Sequence, residues 1–164
     1  MKKIFRLDIP QNSFSGKVIK VIDGDTIKVK FDNGEIKNVR MLLINSPEKK
    51  QMFGKRASNF TTLVLYEKNV FIEFDKTIHD IYNRLLGYVW YEENYKLYFF
   101  NYEIVLNSLA RVCYIYSNKK YLDLLLKAER KAKQNKKFIW EKVGYASNLE
   151  NKFDMSVYST KYIK

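Results

Sequence analysis

One cysteine and one histidine are all that the 164 residues contain of either type, and that shortage removes several kinds of chemistry. Cys113 alone cannot form an intrachain disulfide, and Cys113 with His79 falls well short of a zinc-ligand cluster. Any bound metal is therefore left to oxygen ligands. Prolines number two and glycines six, with no Pro/Gly-rich linker, internal repeat or low-complexity tract to divide the chain. No apolar run approaches the ~18 residues of a membrane-spanning helix, so no transmembrane segment is expected. The opening MKKIFRLDIP carries two lysines, but Arg6 and Asp8 interrupt it before a leader's apolar region can form. No leader is visible. The compartment stays open: secreted or cell-surface if a signal was removed, otherwise cytoplasmic.

What is present is apolar surface and positive charge. With 46% hydrophobic and 16% aromatic residues the chain can bury a substantial core, and its length suits one domain. A net charge of +12 and a pI near 9.6 attract polyanions, nucleic acid ahead of an acidic membrane surface. The abundance of Lys, Asn, Ile and Tyr also admits a compositional origin for part of that basicity.

GKVIKVI (16–22) and DTIKVKF (25–31) alternate apolar and polar residues around Asp23-Gly24, the signature of a hairpin. A second turn, Asp32-Asn33-Gly34, leads into a third strand, EIKNVRMLLI (35–44). Ala57, Phe60, Thr61 and Val64 recur at helical spacing over about 55–67. VFIEFD (70–75) returns to strand character, and 84–100 reads as a hairpin about Glu92-Glu93-Asn94. Phe100, Ile104, Val105, Leu109 and Val112 form a second helical stripe with Asn101 as its N-cap. A third helix spans about 121–136 with Leu122, Leu125 and Leu126 buried, and carries the most basic stretch of the chain. This order predicts an α+β, mainly β fold: a five-stranded barrel with three helices. The expected division is an N-terminal extension (1–15), the domain (16–140) and a loosely attached C-terminal tail (141–164).

Asp25, in IDGDT, is either a turn residue or a metal ligand. A calcium site needs further oxygens, which Asn45, Ser46 and Glu48 can supply from the end of the third strand, where Pro47 enforces a sharp turn. Arg40 interrupts the apolar run VRMLLI, and a guanidinium there must reach solvent or find an anion. Phosphate is one such anion. Arg84 opens the strand after the polar loop HDIYN. Two arginines, a cation and a carboxylate base are the requirements of phosphodiester hydrolysis.

These stretches, IDGDT (22–26), VRMLLINSPE (39–48), FIEFDK (71–76), YNRLLGYVW (82–90), LARVCYIY (109–116) and KAERKAKQNKKFIW (127–140), resemble the staphylococcal-nuclease-like (thermonuclease) family in order and spacing across 16–140. The resemblance implies an OB-fold barrel and a monomeric, calcium-dependent nuclease acting on DNA and RNA, preferably single-stranded. It assigns calcium binding to Asp25, Asn45 and the carbonyl of Ser46, and the general base to Glu48. Arg40 and Arg84 would clamp the scissile phosphate, while Tyr82, Tyr114 and Tyr116 line the nucleotide pocket. Four departures stand out. Asn45 replaces an aspartate, which should weaken calcium binding, and Ile81 replaces a lysine. The loop KKQMFGK after Glu48 is short, and Cys113 occupies a core position. The competing reading is a barrel that binds nucleic acid or protein with little or no catalysis.

Overall fold

The computed structural model describes residues 2–159; Met1 and residues 160–164, the end of the expected tail, lie outside the described residues. Alternation dictates the first strands. β1 (Phe5–Arg6) is a short edge piece, β2 (Ser13–Asp23) is long, and β3 (Thr26–Phe31) returns antiparallel to it with Asp23 opposite Thr26, so Gly24 and Asp25 make the turn. β4 (Ile36–Met41) follows, antiparallel to β3.

The expected third strand does not run through to 44. It breaks at Leu42 and Leu43, where Leu43 takes a φ of 64°, and resumes as β5 (Ile44–Asn45). Both leucines are buried in the core, so an apolar run that reads as continuous strand hides a corner.

After α1 (Gly54–Leu65), β6 (Asn69–Glu73) pairs with β2, and β7 (Leu85–Glu93) pairs with β6 on one side and, in parallel, with β4 on the other. The strands β7-β4-β3-β2-β6 thus close into the five-stranded OB-fold barrel that the element order predicts. β8 (Lys96–Phe99) completes the hairpin with β7 and is itself flanked by β1. The extension at 1–15 therefore contributes strand to the sheet at both of its ends.

α2 (Phe100–Leu106) is wholly buried and shorter than its stripe suggests. Leu109 is core but lies beyond the helix, and Val112 belongs to β9 (Arg111–Val112), which pairs with β5. Asn101 is not a cap. Inside the helix, its amide accepts from Val89 N (2.9 Å) and donates to Leu42 O (3.0 Å), satisfying the backbone at the strand break. α3 (Leu122–Asn135) buries Leu125, Ala128 and Ala132, while Leu122 and Leu126 are half-buried.

Within the tail expected at 141–164, residues of the described part, up to 159, pack against the rest of the molecule. Tyr145, Ala146 and Phe153 are buried with Ile139 in a second hydrophobic cluster against Phe53 and Trp140, and Tyr145 donates its hydroxyl to Met52 O at 2.6 Å.

Candidate active site

The site grows from the β2–β3 turn. Gly24 is required there by close approach: a Cβ would lie 2.7 Å from Ser46 Oγ and 2.8 Å from Ala57 Cβ. Thr61 on α1 donates its hydroxyl to Gly24 O (2.7 Å), tying the turn to the helix. Asp25 is consequently buried, and one carboxylate oxygen accepts from Thr26 Oγ1 (2.9 Å) while the other accepts from Ser46 N (2.8 Å).

Arg40 closes the arrangement. Its Nη1 donates to the carbonyls of Met41 (2.8 Å) and Ile44 (2.9 Å), the orphaned oxygens of the broken strand. Its Nη2 stands 3.3 Å from Asp25 Oδ2 and 3.4 Å from Asn45 Oδ1, and its guanidinium lies 5.5 Å from the Tyr114 ring centre. The strand break and the arginine are one device: the corner exposes carbonyls, and a buried cation satisfies them. Asp25, Arg40, Asn45 and Ser46 are thus brought to one point.

Glu48 follows Pro47 out of this corner. Its backbone N–H donates to Gln51 Oε1 and its carbonyl accepts from Gln51 N, both at 2.8 Å, so the turn is tight. Gly54 is demanded by the same turn, because a Cβ there would meet Glu48 O at 1.7 Å. The Glu48 side chain is exposed, and no ion pair to it occurs among the described residues. Neighbouring Asp23 is pushed above the usual carboxylate range by burial first, then by the charge of Asp25, with Glu48 adding to it. The corner is therefore electronegative on one side and occupied by a guanidinium on the other.

The second arginine is held differently. Arg84 precedes β7, whose parallel ladder sets Arg40 opposite Leu86. Arg84 itself lies outside the strand, in the loop that leads into it after Asn83. Its Nε donates to Asp80 Oδ2 at 2.7 Å, and the terminal amino groups are not used in that bond. Asp80 also accepts from the backbone N–H of Tyr82 and of Arg84, both at 2.9 Å. Burial works to raise the Asp80 pKa, but the bonds from Arg84 outweigh it and hold the carboxyl below its ordinary value. Asp80 is a site-organising residue that sequence reasoning missed, although its position in HDIYNR was its only signal.

Tyr82, Tyr114 and Tyr116 are exposed, at 74%, 40% and 67%. The loops that carry them are joined where Thr77 N donates to Asn118 Oδ1 (2.9 Å). Ile81, next to Tyr82 in the chain, is 91% exposed. Cys113 is buried, as the core reading requires. Sequence reasoning also missed Asn151, which lies in the supposed tail yet meets both Asn45 and Tyr114.

The donor set at the corner is of hard oxygens: one carboxylate (Asp25), one amide (Asn45) and the backbone carbonyl of Ser46. Ser46 Oγ, packed against Gly24, is buried without a hydrogen-bond partner among the described residues. Among the described residues no group of three or more His, Cys, Asp or Glu gathers to hold a metal. The set fits a hard cation such as calcium, held with little negative charge, and does not fit a zinc centre.

An OB barrel that brings a carboxylate, an arginine and an amide to one corner, with an exposed carboxylate just beyond them, has the groups with which a protein can hold a phosphate. The model of the staphylococcal nuclease homologues matches residues 38–142. The chain is 38% identical over 135 residues to the thermonuclease of Staphylococcus hyicus, covering 79% of this chain and 77% of that one. With the thermonuclease of Staphylococcus intermedius it shares 36% identity over 131 residues, 76% of this chain and 75% of the relative. With the SPbeta prophage-derived endonuclease YokF of Bacillus subtilis it shares 38% over 137 residues, which is 79% of this chain and 45% of YokF. The chain belongs to the staphylococcal nuclease family.

Proposed function

We propose that this protein is a calcium-dependent nuclease that hydrolyses phosphodiester bonds of DNA and RNA with little sequence preference. The observation that carries the reading is the meeting of Asp25, Arg40, Asn45 and Ser46 at one corner, with the Glu48 carboxylate free three residues beyond Asn45. Its relatives' names, thermonuclease and endonuclease, support the same class.

Asp25, the amide oxygen of Asn45 and the Ser46 carbonyl would hold the calcium ion. When bound, calcium supplies Lewis-acid stabilisation to a non-bridging phosphoryl oxygen. Glu48 takes a proton from the attacking water, whose oxygen forms the new bond to phosphorus while the bond to the leaving oxygen breaks. Arg40 stabilises charge that develops on the phosphoryl group, and the terminal amino groups of Arg84 stabilise the departing oxygen. Tyr82, Tyr114 and Tyr116 offer aromatic faces that accept any base, and single strands present bases free to stack on them.

Cleavage of single-stranded DNA and of RNA, with calcium or with chelator, tests the reading. Wild type should cut both only with calcium, and Glu48→Gln should lower kcat by about 10²- to 10⁴-fold with nucleic-acid binding retained. Wild-type turnover in Glu48→Gln would remove the general base. The alternative, a binding module, is favoured by one observation: Arg40 already spans Asp25 and Asn45, so a neutral residue 45 leaves few charges for a cation. Tight binding with no cleavage in any metal would establish it, and cleavage by Asn45→Asp alone would locate the loss at that residue.

A further inference from the structure

Residue 45 has two neighbours that make opposite demands. Its Oδ1 faces Arg40 Nη2, and its Nδ2 donates to the backbone carbonyl of Asn151 at 3.1 Å. A guanidinium can only donate and a carbonyl can only accept, so the amide has one orientation and a carboxylate could not serve both. Asn151 also holds Tyr114 twice: its Oδ1 accepts from Tyr114 N (3.0 Å), and its carbonyl accepts from Tyr114 Oη (3.3 Å). The backbone on either side is pinned by Arg111, whose Nη1 donates to Leu149 O (2.9 Å) and Lys152 O (3.1 Å). Buried Tyr145 and Phe153 anchor the stretch in the second hydrophobic cluster, and Asp154 N bonds back to Tyr145 O (2.8 Å). Asn151 itself has a φ of 55°, a conformation that asparagine and aspartate tolerate better than other non-glycine residues.

We propose that residues 149–153 are a latch on the active site, that Asn151 is its positioning residue, and that Asn45 is an amide because the latch needs a donor there. The inference rests on the proposed nuclease reading of the corner. Through Asn45 the latch aims a neutral oxygen at the cation position; through Tyr114 it fixes one wall of the nucleotide pocket. The charge missing at residue 45 is thereby linked to a segment more than a hundred residues away. In a chain where that segment does not reach the corner, residue 45 is free to be a carboxylate.

The test compares hydrogen exchange of the full chain with Asn45→Asp, Asn151→Gly and Asn151→Asp, in chelator and without nucleic acid. In Asn45→Asp two acceptors face each other, so the amides of Tyr114 and Asp154 should exchange faster by roughly tenfold while those of β2 to β4 keep their protection. Asn151→Gly keeps the carbonyl and the positive φ but loses the bond to Tyr114 N, which alone should exchange faster. Asn151→Asp retains the acceptor and should restore wild-type exchange at Tyr114. Calorimetric calcium binding supplies the readout that a mere brace would not move: Arg111→Ala, which frees Leu149 O and Lys152 O and so unpins the Asn151 carbonyl from Asn45, should weaken it by roughly tenfold, as loss of an outer partner of a ligand does, whereas Asn151→Gly, which keeps that carbonyl, should leave it nearly unchanged. Unchanged exchange in Asn45→Asp overturns the latch. Unchanged calcium affinity in Arg111→Ala, or no calcium binding by wild type, overturns its role at the site. A wild type that fails to cut nucleic acid, with the exchange and affinity changes as expected, defeats the nuclease reading and leaves the latch standing.

Discussion

Arg40 and Arg84, the two arginines proposed to clamp one phosphate, are held in opposite ways. Arg40, with 11% of its side chain exposed, is bonded to two carbonyls, a carboxylate, an amide and a ring drawn from the β2–β3 turn, β4, β5 and the chain after β9. Arg84, 31% exposed, is held by Asp80 and lies over the Tyr82 ring, both from its own loop. The corner at Arg40 is part of the core, whereas the rim at Arg84 is attached to it. A buried charge network resists change because each partner is left uncompensated when another is lost; a surface pair gives up little.

That contrast can be broken most directly by removing each arginine. Arg40→Ala leaves Asp25 buried without its cation and should lower unfolding stability by about 3 kcal/mol in urea titration. Arg84→Ala should lower it by less than about 1 kcal/mol. Both variants should lose cleavage, so equal stability losses, not equal activity losses, would erase the distinction. The rim can then be probed alone: Tyr116→Ala, with no stability change, should weaken binding of single-stranded DNA by about 1 kcal/mol, read by fluorescence anisotropy. Tyr114→Ala should in addition lose the hydroxyl bond to the Asn151 carbonyl while keeping the one from its backbone N–H.

The smallest effects concern pH. Asp80 in the fold titrates below its ordinary 3.8, so its bonds to Arg84 stabilise the protein above that value and are lost as pH falls through the lower folded pKa. The stability difference between wild type and Asp80→Asn should shrink accordingly below about pH 4. Asp23 has the opposite sign. Its raised pKa means that ionisation disfavours the fold, so Asp23→Asn should be stabilising at neutral pH and neutral in effect below the unfolded pKa.

Much of the barrel is legible in the sequence because its strands alternate and its hairpin turns use Asp-Gly and Asn-Gly. The helix α1 is legible for the same reason, since Ala57 and Thr61 lie on its buried face. What escapes is where periodicity is silent. An apolar run cannot announce that Leu43 turns with positive φ, because a core corner and a core strand require the same residues. The stripe through Leu109 and Val112 continues past the true end of α2, since both are buried after the chain has changed element. At the site, the residues expected near one another along the chain, Arg40 through Glu48, are legible as a cluster. Asp80 and Asn151 are not, because each acts by orienting another side chain, and orientation leaves no pattern in composition or spacing. Asn151 escapes twice, lying in a polar stretch with no period whose few aromatic residues nonetheless pack.

Cys113 gives the molecule an experimental property that follows from its burial. Its thiol, pushed up to about 11 chiefly by burial, is the chain's one sulfhydryl, and its backbone N–H is bonded to Leu43 O beside the strand corner. In the native protein it should be nearly inert to alkylation, since the thiolate is the reacting form. Its labelling rate therefore acts as a clock for opening of the corner itself, and a cysteine introduced at exposed Tyr95 would give a single addressable position for a fluorophore without any background to remove.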